Sequence, residues 1–318
     1  MEFRRLGNSG LRVSTIGLGC NNFGGRLRQE ETRTVLHKAF DLGITLFDTS
    51  DTYGAVGGGK TGDSELQMGQ VIGSMRKDIV LATKFANPMT PDGTKQGASR
   101  RYIMTAIEDS LRRLRTDYID LYQIHTTDAE TPIEETLRAL DDLVRQGKVR
   151  YIGCSNHAAW RVVEAAWTAK ACNLHHFVSA QDQYSLVHRE PEKELMPALR
   201  QYGMGLLPYF PLASGLLTGK YKRNAAMPAG SRLANTQRLA DVYLTEKNWE
   251  IAEKLGDFAD KAGHSMLELA FSWLLAQSPV ASVIAGATKP EQLEGNVKAG
   301  GWKMTAEELA EINKIATP

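Results

Sequence analysis

Residues 119–154 read IDLYQIHTTDAETPIEETLRALDDLVRQGKVRYIGC. Two short apolar runs, 119–124 and 149–154, bracket a stretch in which Ile133, Leu137, Leu140 and Val144 recur at steps of four, three and four. With roughly 3.6 residues per helical turn, that spacing puts all four on one face. Thr131 is a candidate cap, Pro132 suits the first turn, and Gly147 ends the helix. The unit is therefore strand, helix, strand, and a short crossover of this kind pairs its two strands in parallel.

The same alternation spreads in both directions. Apolar runs at 14–19, 44–47, 79–82, 177–180, 205–208 and 280–285 read as further buried strands. Between 99 and 115, Ile103, Ile107, Leu111 and Leu114 form another helical face. Parallel strands joined by helices close into a barrel or stay open as a doubly wound sheet. About eight strand–helix units favour a (β/α)8 TIM barrel, an α/β fold, as one domain over residues 1–318. Segments 3–6 and 11–13, joined by Gly7-Asn8-Ser9-Gly10, read as an N-terminal β-hairpin that plugs one end. Residues 223–238 and the Gly-rich stretch 55–62 are expected to be long loops, the first ordered on binding and the second mobile.

Composition excludes several functions. Lys and Arg number 38 against 37 Asp and Glu, so no basic footprint points to nucleic acid or an anionic membrane. The start MEFRRLGNSGLRV lacks the apolar block of a secretory signal, and the chain is expected to begin here in its mature form. The greasy stretch 204–217 is broken by Pro208 and Pro211 and falls short of a membrane span. Cys20, Cys154 and Cys172 are scattered, without a disulfide or zinc spacing, which fits a reducing cytoplasm.

In a parallel barrel, chemistry sits where strands end. Asp48 follows ITLF, Tyr53 comes five residues later, Lys84 follows IVLAT, and His125 follows YIDLYQI. A buried Asp beside a buried Lys makes an ion pair, and a Tyr beside that Lys is expected to have its pKa lowered from ~10, because the phenolate is favoured. Such a tyrosine can exchange a proton with substrate, and His125 can donate a hydrogen bond to a substrate oxygen.

These residues lie in motifs that resemble the aldo-keto reductase family along nearly the whole chain, in the branch that holds bacterial reductases and potassium-channel beta subunits. The motifs are GITLFDTSDTYG (43–54), Lys84 at its strand end, DLYQIH ending at His125, GCSNH (153–157) and PYFPLASGLLTGKY (208–221). The resemblance implies NADPH-dependent reduction of aldehydes or ketones, with Tyr53 as general acid, Lys84 and Asp48 tuning it, and His125 positioning the carbonyl. It also implies an extended nicotinamide cofactor without a Rossmann domain, in keeping with the lack of a GxGxxG followed by a suitable acidic residue. Ser155, Asn156 and Gln181 match positions that grip the carboxamide, and Tyr209 matches the aromatic platform under the nicotinamide. Asn21, Pro211, Leu212 and Gly215 are assigned to the same cofactor path, while Lys220, Ser231 and Arg232 would address phosphates. In IAGATKPEQLEGN, Gly286, Ala287, Thr288, Gln292 and Asn296 match adenosine-end contacts, and Lys289 favours NADPH, with NADH as the alternative. Three departures stand out: Gly295 replaces a common adenine-contacting Glu, Asn21-Asn22 replace a more usual Thr, Trp or Tyr, and the Gly-rich insertion after Tyr53 is longer than the expected compact turn. The alternative from another class is a nicotinamide-binding regulatory subunit like the channel beta subunits. Some of those carry a long N-terminal inactivating segment, which this sequence does not show. Oligomeric state, a homo-oligomer included, is open.

Residues 54–61, GAVGGGKT, satisfy the phosphate-cradling GxxxxGK[ST] pattern, but residues 48–53 intervene after the last apolar residue, Phe47, where that loop should leave its strand directly. A flexible glycine loop is the expected reading. Adjacent His175 and His176 point apart and no HExxH occurs, so no metal is expected. Met204, Trp249, Met266 and Trp273 read as core.

Overall fold

A computed structural model describes residues 1–55 and 57–317. Val56, in the Gly-rich stretch, and Pro318 lie outside the described residues. Strands β1 (Phe3–Arg5) and β2 (Arg12–Ser14) pair as the antiparallel hairpin. Eight parallel strands follow among the described residues: β3 (Ile16–Gly19), β4 (Leu46–Asp48), β5 (Val80–Phe85), β6 (Ile119–Ile124), β7 (Val149–Ser155), β8 (Phe177–Gln183), β9 (Gly205–Tyr209) and β10 (Val283–Gly286). Their order is β10-β3-β4-β5-β6-β7-β8-β9. The ring closes just ahead of β10, where Leu206 N–H donates to the Pro279 carbonyl at 2.9 Å and Ala281 N–H donates to the Leu206 carbonyl at 3.0 Å. The fold is the (β/α)8 barrel.

The helices pack outside the ring: α1 (Gln29–Asp41), α2 (Asp63–Gly69), α3 (Arg100–Leu114), α4 (Ile133–Arg145), α5 (Ala159–Ala171), α6 (Leu195–Gln201), α7 (Gln237–Tyr243), α8 (Glu246–Lys261), α9 (Met266–Ala276), α10 (Pro290–Ala299) and α11 (Ala306–Ala316). The face of α3 anticipated from sequence is buried, and Ser99 caps the helix by accepting from Tyr102 N–H. Helix α4 corrects its expected start. Pro132 occupies the cap position rather than the first turn, and the Thr131 hydroxyl donates to Asp128 Oδ2 at 2.7 Å instead of capping. No helix among the described residues is long and apolar enough to cross a membrane.

Two cores result. The larger lies between ring and helices and takes in Met204, Met266 and Trp273, with Trp249 packed at its edge. The smaller fills the barrel, where Leu6 and Val13 from the hairpin meet Leu46, Val80, Leu121, Val178 and Leu207. The hairpin therefore closes the end at which strands begin and leaves the other end free. Strand bounds shifted where tertiary bonds decide them: Ile44 still donates to Ala39 at the end of α1, so β4 begins two residues late. β5 and β8 run past their apolar runs into polar residues buried at the open end.

Candidate active site

At that open end β4 stops on Asp48, and Lys84 is the fifth residue of β5. Lys84 has no exposed surface and Asp48 is 2% exposed. The Lys84 Nζ donates to Asp48 Oδ2 at 2.6 Å, to the Thr49 carbonyl at 2.9 Å and to the Tyr53 hydroxyl at 3.4 Å. An ammonium has three donors, and all three are used. Asp48 Oδ1 accepts from Gln123 Nε2 at 3.2 Å and from Gln181 Nε2 at 2.9 Å. The tail of the lysine is thus fixed from both sides before any ligand arrives. Tyr53 and His125 meet edge to face with ring centroids 5.6 Å apart. The four residues singled out by strand-end position converge at one site.

The electrostatics correct one expectation. The Tyr53 phenol lies above its ordinary value, because burial outweighs the opposing pull of the Lys84 charge and Asp48 adds to the rise. Tyr53 is accordingly a neutral phenol that holds its proton. Burial pulls Lys84 down, but Asp48 and Tyr53 more than compensate, and the ammonium form is retained. Burial, helped by the Lys84 charge, drops His125 to about 3 and leaves a neutral imidazole.

Beside this cluster, β7 ends at Ser155, and Asn156 follows in a left-handed conformation, φ 56°. The Asn156 amide donates to the His125 carbonyl at 2.9 Å and its Oδ1 accepts from the Tyr209 hydroxyl at 2.7 Å. Asn156 N–H donates to the Gln181 carbonyl. Ser155, Asn156, Gln181 and Tyr209 are therefore one continuous patch. Gln181 presently engages Asp48 rather than facing outward alone. Gly153 keeps the interior open at this level, since a Cβ there would lie 2.8 Å from Ser179 Oγ.

The remaining sequence-assigned residues trace a rim. After Pro211 and Leu212 the chain turns through Ser214 and Gly215, both at positive φ, and brings Lys220 Nζ against Gly215. The Arg232 guanidinium lies over the Phe210 ring at 4.9 Å, and its Nε is buried without a partner among the described residues. Asn22 reaches the Ala287 carbonyl, and Asn21 lies against Gly286. Gln292 folds back to accept from Thr288 N–H at 2.7 Å, while Asn296 is buried and Lys289 stands exposed ahead of α10. Across the described residues of the Gly-rich loop, Lys60 N–H donates to Asp63 Oδ2 at the start of α2. That acid occupies an amide a phosphate cradle would need. His175 pairs with Asp141 rather than with a metal-like cluster, and among the described residues no group of three metal-binding side chains occurs.

Sequence reading missed two residues, Gln123 on Asp48 and Ser50 on His125 Nδ1 at 3.0 Å. Strand alternation was a usable signal for the first, since Gln123 and His125 are two apart and share a face. For the second there was none beyond its place inside DTSDTY.

The aldo/keto reductase family matches residues 15–317. L-glyceraldehyde 3-phosphate reductase of Escherichia coli O157:H7 is 37% identical over 99% of this chain and 92% of its own length. An uncharacterized oxidoreductase of Bacillus subtilis (strain 168) is 38% identical over 99% and 96%. A probable voltage-gated potassium channel subunit beta of Arabidopsis thaliana is 36% identical over 94% and 91%. With the barrel, its strand-end cluster and a match that spans the chain, this protein belongs to the aldo/keto reductase family and is an oxidoreductase of carbonyl chemistry.

Proposed function

We propose that this chain reduces an aldehyde or ketone to the alcohol with NADPH, and that Tyr53 is the general acid. The observation that carries the reading is the Lys84 ammonium donating to the Tyr53 hydroxyl oxygen while Asp48 holds it from behind. Because Lys84 occupies a lone pair of that oxygen, the phenolic hydrogen is left to donate to a carbonyl oxygen. As the proton departs, the same ammonium stabilises the phenolate left behind. A neutral His125 orients the carbonyl without adding a competing charge.

The residues present fit a nicotinamide dinucleotide. Ser155, Asn156, Gln181 and Tyr209 form a contiguous patch of amides, hydroxyl and ring at the mouth, and the unpartnered Arg232 Nε suits a phosphate. Exposed Lys289, ahead of α10, supports NADPH over NADH. When bound, the reduced nicotinamide supplies the hydride.

Similarity to a channel beta subunit supports a second reading, a nicotinamide-binding regulatory subunit with little turnover. NADPH consumption decides between them, with 4-nitrobenzaldehyde, methylglyoxal and L-glyceraldehyde 3-phosphate as substrates, the last because a relative is named for it. Sustained multiple turnover on one of these is expected. NADPH binding followed by at most one turnover on every substrate would overturn the enzymatic reading and favour the regulatory one.

A further inference from the structure

Ser50 is fully buried between two groups that the proposed chemistry does not otherwise connect. Its Oγ lies 3.0 Å from His125 Nδ1, 3.2 Å from Asp51 Oδ1 and 3.1 Å from Thr52 Oγ1, and it accepts from Thr52 N–H at 3.3 Å. Asp51 is 1% exposed, its N–H donates to the Lys84 carbonyl, and its Oδ2 is buried without a partner among the described residues. A serine hydroxyl has one hydrogen to give. Which neighbour receives it decides which nitrogen of a neutral His125 carries the imidazole proton.

We propose that Asp51 and Ser50 form a donor chain, Asp51 carboxylic acid to Ser50 hydroxyl to His125 Nδ1, that holds His125 as its Nε2–H tautomer. This makes both of them positioning residues. The inference rests on the reading of His125 as a donor to the carbonyl oxygen, since only the Nε2–H form can donate away from Ser50. Were Asp51 ionised, its Oδ1 would take the Ser50 hydrogen, Nδ1 would have to carry the proton, and Nε2 would be bare. Geometry favours the neutral acid. An ionised Asp51 would bury charge on an Oδ2 that has no partner among the described residues, whereas an acid protonated on Oδ1 would donate to Ser50 Oγ across the same 3.2 Å. Imidazole nitrogen is also the stronger acceptor when compared with the Thr52 hydroxyl.

The surroundings agree. The ionisable groups facing Asp51 are Glu65 from α2, Arg113 and Tyr102 from α3, and Tyr122 from β6. Arg113 is already committed to Glu65 at 2.6 Å, and Glu65 also accepts from Thr83. The nearby cation is thus neutralised by another carboxylate. Burial, followed by the Glu65 charge, raises Asp51 well above the ordinary carboxylate range. Facing His125 are Lys84 and Tyr53.

The test is nitrogen NMR on the full chain with ¹⁵N-labelled histidine, the His125 resonances being assigned by their loss in His125→Gln. At pH 7 the parent is expected to show a protonated Nε2 and a bare, hydrogen-bonded Nδ1, and the Asp51 carboxyl carbon, assigned through Asp51→Asn, should read as the acid. Asp51→Asn should keep the tautomer, because its amide also donates to Ser50. Ser50→Ala should lose the preference, with kcat lowered about tenfold and the NADPH KM unchanged, about one hydrogen bond's worth. A protonated Nδ1 in the parent, an ionised Asp51 at pH 7, or a Ser50→Ala protein that keeps the full Nε2–H form would each overturn the proposal. The NMR arms need no turnover, so a chain inactive on every carbonyl refutes the proposed function and still leaves this tautomer assignment to be read.

Discussion

Removing the charge of Asp48 isolates what holds the cluster together. In Asp48→Asn the side chain keeps its shape. Its oxygen still accepts from Lys84, and the new amide meets both Gln123, whose Oε1, without a partner among the described residues, needs only an amide flip to accept it, and Gln181, whose Nε2 loses its acceptor. The lysine keeps its hydrogen-bond acceptor while the counter-charge of a side chain with no exposed surface is lost. Breaking a buried pair by removing one partner costs about 3–5 kcal/mol, most of it the penalty of an uncompensated charge. The sign with pH follows. Without Asp48, burial is the dominant influence on Lys84, its folded pKa falls below the unfolded value, and the folded state disfavours the proton. The stability deficit relative to the parent is therefore larger at pH 6 than at pH 9. Urea unfolding at both pH values measures it, and Lys84→Met with the double variant closes a cycle in which the double variant loses less than the two singles together. A deficit under about 1 kcal/mol, or one independent of pH, would refute the ion-pair reasoning.

Three further outcomes are expected. His125, depressed to about 3 by burial and Lys84, contributes stability that is present above pH 6.5 and lost as pH falls toward 3. His125→Gln should therefore lose less stability than the parent between pH 7 and pH 4, and equal losses in urea midpoints would contradict this. Asp51 has the opposite sign: raised on folding, it penalises the native state once pH exceeds its unfolded value. Asp51→Asn should be the more stable protein at pH 9, with the gap shrinking toward pH 4; a constant gap argues against a buried acid. Gly54 sits at φ +118° with Lys60 O only 2.5 Å from where a Cβ would lie, so Gly54→Ala should cost about 1–3 kcal/mol, and an unchanged Tm would mean the loop adjusts freely.

The barrel was legible because its signal is repeated. The helical face Ile103 to Leu114 is buried where its period placed it, and on α4 Leu137 and Leu140 are buried with Ile133 and Val144 half-buried beside them. Strand-end position likewise found Asp48, Lys84 and His125, since in parallel strands the side chain after the apolar run meets the open end. Local sequence failed where distant partners decide. The closing bonds of Leu206 and the glutamine pair on Asp48 come from residues far apart in the chain. The direction of the Tyr53 shift was misjudged for a related reason: the lysine is visible in the motif, but the desolvation that outweighs it is created only when the barrel closes around the phenol.

The most direct measurement compares Tyr53→Phe with the parent in two assays, titration of NADPH binding by fluorescence and single-turnover NADPH oxidation with an aldehyde the parent reduces. The account expects NADPH affinity within a few-fold of the parent and a hydride-transfer rate lowered by about 10²-fold or more, the scale of a lost general acid. Equal single-turnover rates in the two proteins would contradict it.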